Sequence, residues 1–477
     1  MKKLFYAFAL STALVFTSCE QEVTVDDATI QQIVDAAVAA ALANYPDYPD
    51  TQAIADAAAA AATAAVAAGL GDIDSAIQDA IDAADALVNP PVVRIGTGGI
   101  TEITQDTTWE YGNIYIMEGK IVVASGATLT IEPGTIVKAA GGQGANATVL
   151  IVARGGKINA AGTADMPIIF TDIADEISYV NNGVSPNRNL TDRGKWGSIV
   201  LLGSALVGED GGTEDIEGIV SGYDFTEYGG TNDADNSGVM QYVSIRHTGT
   251  LLAAGDELQG LTMGGVGSGT TIENIELLGS ADDGIEIFGG SVDVTNLVVA
   301  YHKDDGIDLD EAYTGTISNA VVLMAADSDT VFENDGTEDS TKTIDGAFTI
   351  TGVTAYGSND AEGTDTLGDW KSGCTAFIDN VLFVNFKADS HIEGVDKDTY
   401  VAGGTAAVTG ELSFKDLVFV GGSDVTRTTL TTDVKSHSDE EWTAAEKADW
   451  TWLTVSASRP ASAGADESVF SWTQIYN

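Results

Sequence analysis

The chain of 477 residues has few cations and almost no cysteine, and both scarcities exclude classes of protein. Its 2 cysteines cannot make a disulfide framework or a four-ligand zinc site. Against 72 acidic side chains stand only 21 basic ones, so the formal net charge is −51. Nucleic acid and anionic lipid surfaces bind through basic patches, so we expect no nucleic-acid partner. A Ser-His-Asp order, a phosphate loop and a clustered Cys/His motif are also missing, and we expect no organic cofactor.

The first 18 residues have the pattern of a signal peptide. Lys2 and Lys3 precede an apolar run, residues 4–16, that is too short to span a bilayer. The run ends in Thr17-Ser18-Cys19, which resembles a bacterial lipobox. This resemblance implies lipidation of Cys19, attachment to a membrane through N-terminal acyl chains, and a surface-exposed lipoprotein of the bacterial outer membrane. The alternative is an ordinary secretory signal with an incidental cysteine.

Residues 19–91 form an alanine-rich acidic segment without cations. Between Glu20 and Asn89 there are 13 acidic residues and no lysine or arginine. Alanine is the strongest helix former, and apolar residues recur at helical spacing from Ile30 onwards. Breaks at residues 44–50 and 89–91 divide the segment, and Thr51 is placed to cap a second helix. We expect a helical stalk that acts as a spacer; the alternative is a homo-oligomer formed through residues 26–88.

From residue 95 the sequence changes to short β-branched runs separated by glycine, asparagine and aspartate. One pattern recurs: an apolar residue, any residue, asparagine, and then a second apolar residue. The asparagines of this pattern are Asn274, Asn296, Asn319 and Asn380, and Asp416 takes the same place once. The first two intervals are 22 and 23 residues. A period of this length made of strands and turns predicts a parallel β-helix over residues 95–425. Asparagine at one place in each rung predicts an internal ladder of side-chain amides.

Several glycine-rich motifs follow in order along these rungs: Ile131-Glu-Pro-Gly134, Arg154-Gly-Gly-Lys157, Lys195-Trp-Gly197, Gly264-Gly-Val-Gly267 and Asp282-Asp-Gly-Ile285. Together they resemble a family of right-handed β-helix surface lipoproteins of unassigned function from Bacteroidota and other marine bacteria. The resemblance covers residues 100–320 well. It implies an all-β fold, a right-handed parallel β-helix (solenoid), here preceded by the alanine-rich α-helical segment. It implies no activity.

Two consecutive rungs carry acidic residues that superpose at an interval of 22, with Asp282 over Asp304 and Asp283 over Asp305. Like carboxylates one rung apart repel, so they should be protonated or bridged by a hard cation. Ca²⁺ takes about six to eight oxygen ligands in irregular geometry. The predicted calcium ligands are Asp282, Asp283, Asp304 and Asp305, with Asp233 and Asp235 in a second candidate loop. The alternative is that the Asp-Gly pairs only form turns.

The same rungs carry candidate catalytic carboxylates. Alternate residues of a strand face opposite sides, which places Glu286, Asp308 and Asp310 outside the core. These would supply the two carboxylates of a glycosidase, or, with Ca²⁺ and a base, the site of a lyase. The nearby basic groups are Lys303, Arg246, His247 and His302, and we expect the two histidines to be surface residues at turns.

Residues 426–477 are less regular and contain four of the 7 tryptophans, which predicts a C-terminal cap with a short helix and a tryptophan cluster. The resulting expectation is a cell-surface lipoprotein whose acidic β-helix acts as a calcium-stabilised binding or structural and adhesion module, with a glycan as a candidate partner. The alternative is a polysaccharide-degrading enzyme, either a glycoside hydrolase or a lyase.

Overall fold

The computed structural model describes residues 27–43, 51–67, 73–208, 212–217, 219, 222–250, 258–336, 346–358, 366–421, 425–431, 434–435 and 441–476. The predicted signal peptide and Cys19 lie outside these residues. The chain forms two compact units, one of residues 1–92 with 177–186 and one of residues 93–176 with 187–477. Each unit is described separately below.

The first unit contains three helices, α1 (Asp27–Leu42), α2 (Thr51–Ala67) and α3 (Ile73–Val88), at the positions that the alanine pattern predicts. Their shared core is built mainly of alanine, with Ala37, Ala41, Ala58, Ala62, Ala80 and Ala84 fully buried. The acidic residues of the helices whose burial is described, Asp35, Asp56, Asp79, Asp82 and Asp85, are exposed, so the helices pack through side chains that carry no charge. None of the described helices is long and apolar enough to cross a membrane.

The second unit consists mainly of short parallel strands. They are β1 (Val92–Ile95), β2 (Ile100–Ile103), β3 (Thr107–Trp109), β4 (Ile114–Met117), β5 (Lys120–Val123), β6 (Thr128–Ile131), β7 (Ile136–Ala139), β8 (Val149–Val152), β9 (Lys157–Ala161), β10 (Ile168–Asp172), β11 (Ile199–Leu202), β12 (Glu214–Asp215), β13 (Glu227–Tyr228), β14 (Gly238–Arg246), β15 (Leu261–Gly264), β16 (Thr271–Leu278), β17 (Ile285–Phe288), β18 (Val294–Ala300), β19 (Ile307–Asp310), β20 (Thr316–Leu323), β21 (Phe332–Asp335), β22 (Phe348–Tyr356), β23 (Asp369–Lys371), β24 (Ala376–Val384), β25 (Leu412–Val420) and β26 (Leu453–Ser456). A short helix, α4 (Arg427–Leu430), lies near the C-terminus.

These strands stack into two long parallel sheets. A nine-stranded sheet, called sheet B here, has the order β2-β5-β8-β11-β15-β17-β19-β21-β23. A 15-stranded sheet, called sheet A, has the order β1-β4-β7-β10-β14-β16-β18-β20-β22-β24-β25-β26. The strands β3, β6 and β9 pair in that order and join the sheet at β14. Successive strands of one rung therefore alternate between the sheets, and one apolar core runs between them. This architecture confirms the predicted parallel β-helix.

The long strands of sheet A bend at the positions of the asparagine frame. Asn274, Asn296 and Asn319 all have φ between 56° and 59°, and the residues on either side continue the parallel pairing. The Nδ2 of Asn296 donates to Asn274 Oδ1 over 3.1 Å, and the Nδ2 of Asn319 donates to Asn296 Oδ1 over 2.7 Å. The amide ladder is confirmed, but it is not internal. Asn319 also bonds the C-terminal segment, so the ladder lies on the outer side of the bend.

The C-terminal residues do more than cap the last rung. Trp450 and Trp452 are buried near Tyr400 and Phe414, and β26 adds a further strand to sheet A. Beyond β26 the chain turns back across the outer face of sheet A, where residues 464–475 contact β24, β22, β20 and β18 in that order and then β14 and β16. We call residues 464–475 the C-terminal strap. It holds together rungs that are distant in sequence.

We predict that the left-handed bend and the amide ladder contribute separately at Asn296. Asn296→Ala loses both and should lower the free energy of unfolding by about 2–3 kcal/mol, whereas Asn296→Gly keeps the backbone conformation and should lose about half as much. Gly352 already occupies the equivalent place with φ of 68°. Urea denaturation of both variants measures this, and equal losses would contradict it.

A second prediction concerns the strap. Phe470 is fully buried against Val298 and Val321, while its neighbour Val469 is 37% exposed. Phe470→Ala should lower the free energy of unfolding by about 3–5 kcal/mol because it leaves a cavity over two rungs. Val469→Ala is the matched control and should change it by less than about 0.5 kcal/mol. Similar melting temperatures for the two variants would show that the strap does not stabilise the sheet.

Candidate carboxylate site

The outer face of sheet B changes from apolar to acidic along one row of side chains. The backbone register aligns Val122, Ile151, Val200, Thr262, Glu286, Asp308, Glu333 and Asp369. The residues before and after each of them in the strands, such as Ile285, Ile287, Ile307 and Leu309, point into the core as predicted. The row therefore stacks four carboxylates on four consecutive strands.

A long insertion between β11 and β14 covers the apolar part of this face. Its Ile216, Ile219, Phe225 and Tyr228, with Leu258, pack on Val122, Ile151 and Val200. The Tyr228 ring lies where a side chain of Gly264 would be, since a Cβ there would come within 2.6 Å of it. Glu217 of the insertion lies near enough to Glu286 to raise the pKa of that carboxyl. The acidic part of the row thus begins at the edge of the insertion.

Five carboxylates gather at this edge, and we call Asp282, Asp283, Glu286, Asp304 and Asp308 the acidic cluster. Oxygen atoms of Asp282, Asp283 and Asp304 all lie within 4.8 Å of one another. Oxygen atoms of Asp283, Glu286 and Asp308 satisfy the same limit. The turns before β17 and β19 place the aspartates, because each rung repeats the Asp-Asp-Gly sequence and the Asp305 N–H donates to Asp283 Oδ1 over 2.8 Å.

Burial and mutual repulsion raise the pKa values within this cluster. Burial raises the pKa of Asp283 well above its usual range, and the charge of Asp282 adds to it. Burial likewise raises the pKa of Glu286, helped by Asp283, and that of Asp308, helped by Asp310 and Glu286. Desolvation disfavours the charged form, and a neighbouring like charge does the same. The cluster therefore has a strong affinity for positive charge, whether protons or cations.

Asp305 is not part of the same group of oxygens, although the sequence predicts it as a fourth ligand. Its Oδ1 accepts from the Thr330 N–H over 2.7 Å, and its carboxyl hydrogen-bonds Glu333. Burial, with this bond to Glu333, raises the pKa of Asp305 to about 10. Burial opposes ionisation of Glu333, but hydrogen bonds from Asp305 and Lys371 lower its pKa. The Asp305 carboxyl therefore favours its protonated form and donates a hydrogen bond to Glu333 in the next rung.

The second candidate loop binds its carboxylates to its own chain. Asp235 Oδ1 accepts from the Ser204 hydroxyl over 2.7 Å and Oδ2 accepts from the Ser237 hydroxyl over 3.2 Å. Asp233 Oδ1 accepts from the Leu206 N–H over 3.1 Å. Within the described residues, neither aspartate belongs to a group of three close metal-ligating oxygens. These aspartates organise the insertion, as expected of turn residues.

Glu286 and Asp308, two of the predicted catalytic carboxylates, lie outside the core but are nearly inaccessible to solvent. Both side chains leave the core side as predicted, and Asp310 lies beside them at the end of β19. Glu286 is only 6% exposed and Asp308 only 8% exposed. Glu217 of the neighbouring insertion approaches Glu286, and the repeat pattern does not reveal this approach. A polysaccharide chain would need direct contact with these carboxylates.

Of the predicted bases, Lys303 lies beside the acidic cluster: burial raises the pKa of Asp304, and the Lys303 charge partly opposes this rise. The other three are buried. Arg246 lies on the outer face of sheet A, buried and ion-paired to Glu276. His247 and His302 are fully buried, so their expected positions at the surface are wrong. Burial lowers the pKa of His247, and burial together with Arg193 lowers that of His302 to about 3. Both imidazoles are therefore neutral at pH 7.

The acidic row extends over two further strands whose carboxylates were not predicted from the sequence. Glu333, Asp335, Asp369 and Lys371 occupy the next two strands of sheet B, and the Lys371 ammonium bonds Glu333 and lies 3.5 Å from Asp335. Burial opposes the charge on Lys371, but Glu333 and Asp335 raise its pKa overall. Residues Phe332 to Asp335 alternate between inward and outward positions, and this alternation could have indicated a strand with Glu333 and Asp335 facing outward. The loops between these rungs break the interval of 22, which hid the alignment.

Comparison with known proteins identifies the family. Residues 101–476 match the family model of the pectate-lyase-like β-helix domain, and this match covers more than half of the chain. The chain therefore belongs to the pectate-lyase-like β-helix domain family. No curated protein and no solved structure matches the chain. The family supports both a binding module and a polysaccharide-degrading enzyme.

We predict a pH-dependent destabilisation from Asp369. Burial raises its pKa from 3.8 to about 6, so the folded state favours the protonated carboxyl. The stability gained by protonating Asp369 is fully present below about pH 4. It is lost as the pH rises through 6, where the buried carboxyl becomes charged. Asp369→Asn should therefore match the original protein at pH 4 and become more stable by about 1–3 kcal/mol above pH 7.

Thermal melts between pH 4 and pH 8 measure this difference. Asp165→Asn is the control, because Asp165 is exposed on a turn away from Asp369 and its substitution should change the stability by less than about 0.5 kcal/mol. A stability difference for Asp369→Asn that stays constant across this range would contradict the assignment.

Proposed function

We propose that this protein is a bacterial cell-surface lipoprotein whose β-helix is a calcium-stabilised binding or structural module. The observation that carries the proposal is the approach of Asp282, Asp283 and Asp304, whose oxygens lie within 4.8 Å of one another. Ca²⁺ binds oxygen at about 2.4 Å, so two of its ligands are at most about 4.8 Å apart. The three carboxylates meet this requirement.

The environment of these residues favours Ca²⁺ over other occupants. The donors are all carboxylate oxygens, which suit hard cations. Asp283 is buried, while Asp282 and Asp304 are half-buried, so water can complete a coordination shell on one side. Mg²⁺ demands near-octahedral geometry and gives up its own waters reluctantly, which fits less well with three carboxylates that approach from two successive turns.

The proposed location depends on the N-terminal sequence alone. Lys2, Lys3, the apolar run and Cys19 together support acylation, and acyl chains anchor a protein without a spanning helix. The net charge of −51 accords with a surface that is solvated in salt water, where screening acts beyond about 8 Å. Labelling intact cells with antibody, with and without Cys19→Ala, tests this location.

A polysaccharide-degrading enzyme is the second candidate, and the match to the pectate-lyase-like family favours it. A lyase needs a base, and Lys371, at the far end of the acidic row, is held protonated by Glu333 and Asp335. This arrangement weakens the lyase mechanism at these residues. Incubation with a panel of polysaccharides, followed by assays of reducing ends and unsaturated uronates, tests both reactions. A product that disappears with Asp308→Asn would establish the enzyme.

We predict that calcium raises the stability of the protein through Asp304. At a free concentration of about 100 times its Kd, Ca²⁺ should add about 2.7 kcal/mol to the free energy of unfolding. Asp304→Asn should remove most of this gain because it deletes one charged ligand. Asp165→Asn is the charge-matched control, since Asp165 is exposed on a distant turn, and it should keep the full gain.

Melting temperatures in EDTA and in millimolar CaCl₂ measure the effect. A melting temperature that is the same in both solutions would remove the calcium proposal.

A further inference from the structure

Glu286 and Asp308 each contain a polar atom that has no partner in the part of the chain that the structure describes. Among these residues, Glu286 Oε2 and Asp308 Oδ1 are buried and accept no hydrogen bond. Both residues are more than nine-tenths buried, with exposures of 6% and 8%. An unsatisfied buried carboxylate oxygen opposes folding, and a bound water or ion is one of its ordinary explanations.

The two carboxylates converge on Asp283. Oxygen atoms of Asp283, Glu286 and Asp308 all lie within 4.8 Å of one another, the same limit that the first group satisfies. Asp283 is common to both groups, so the acidic cluster is two sets of three oxygens that share one residue. Carboxylates have two oxygens and can bridge two cations in this way.

We propose that the acidic cluster binds two Ca²⁺ ions, with Asp283 as the bridging ligand and Glu286 and Asp308 as ligands of the second ion. This inference rests on the proposed calcium site at Asp282, Asp283 and Asp304, and it assigns the two carboxylates to metal binding instead of catalysis.

The charges around the second position favour a cation over a shared proton. The largest charge effects on Asp283, Glu286 and Asp308 all come from other carboxylates. One shared proton would satisfy one pair of oxygens and leave the repulsion among the rest. Two Ca²⁺ ions supply four positive charges to the five carboxylates of the cluster, which nearly balances them.

The two positions should differ in how quickly they exchange. The first includes the half-buried Asp282 and Asp304 and is open to water. The second is formed entirely by buried residues, Asp283, Glu286 and Asp308. An ion in the second position must lose more of its water, so it should bind and leave more slowly.

Calcium stoichiometry of the full-length protein tests the proposal. Equilibrium dialysis against CaCl₂ at pH 7.5 should give two ions for the original chain and one for Glu286→Gln and for Asp308→Asn, which keep the side-chain shape. Asp304→Asn should lose the first ion, and Asp283→Asn should lose both. Asp165→Asn should still bind two.

Each outcome decides between the two proposals. One ion in the original chain, or two in Glu286→Gln and Asp308→Asn, would overturn the second position and leave the first in place. No bound ion would overturn both. Melting in EDTA is the check on folding: the two neutral variants should melt at or above the original temperature, because they remove a buried charge. Should one variant fail to fold, the other gives the stoichiometry.

Discussion

Each side chain of the β-helix lies directly over its equivalent in the next rung, because the parallel strands pair in a fixed register. This stacking is the constraint on which the other features depend. Apolar residues stacked on the inside give one continuous core, and asparagines stacked at the bend form a ladder of amides. The same geometry cannot satisfy charged residues, because a carboxylate then faces another carboxylate about 4.8 Å away.

The outer face of sheet B shows two responses to this constraint. Where the stacked residues are Val122, Ile151 and Val200, the chain covers them with an apolar insertion. Where they are Glu286, Asp308 and Glu333, no apolar cover can satisfy them. Protons, cations or a basic side chain must do so. Lys371 serves this purpose at Glu333, two strands beyond Glu286. Between Asp282 and Asp308 the cluster instead keeps its excess of negative charge.

Local features of the fold could be predicted from the sequence because each has a local cause. The alanine segments gave helices α1, α2 and α3 with correct ends, since propensity and breakers act within a few residues. The repeat of 22 gave the register of Glu286 over Asp308, which β17 and β19 show. Asparagine at the bend was predictable as well, because few other residues adopt a positive φ without strain.

Features that depend on distant parts of the chain could not be predicted in this way. The contact of Phe470 with Val298 and Val321 joins residues far apart in sequence and has no period. Glu217, which approaches Glu286, belongs to an insertion whose residues follow no repeat. Rungs lengthened by loops hid Glu333 and Asp369, although both lie in the same row as Asp308. Thus the sequence indicated which residues face outward, and only the structure showed which of them are covered.

Burial divides the acidic residues of this chain, whose net charge is −51, into two kinds, exposed and buried. An exposed carboxylate such as that of Asp165 is hydrated, and salt screens it from its neighbours. A buried one such as Glu286 has lost that hydration and needs a specific partner. The helices of the first unit follow the same rule, because they bury alanine and leave their carboxylates outside. The acidic cluster departs from it. Since burying several like charges without a partner opposes folding, their retention at one place in the β-helix is best explained by a ligand that carries the opposite charge.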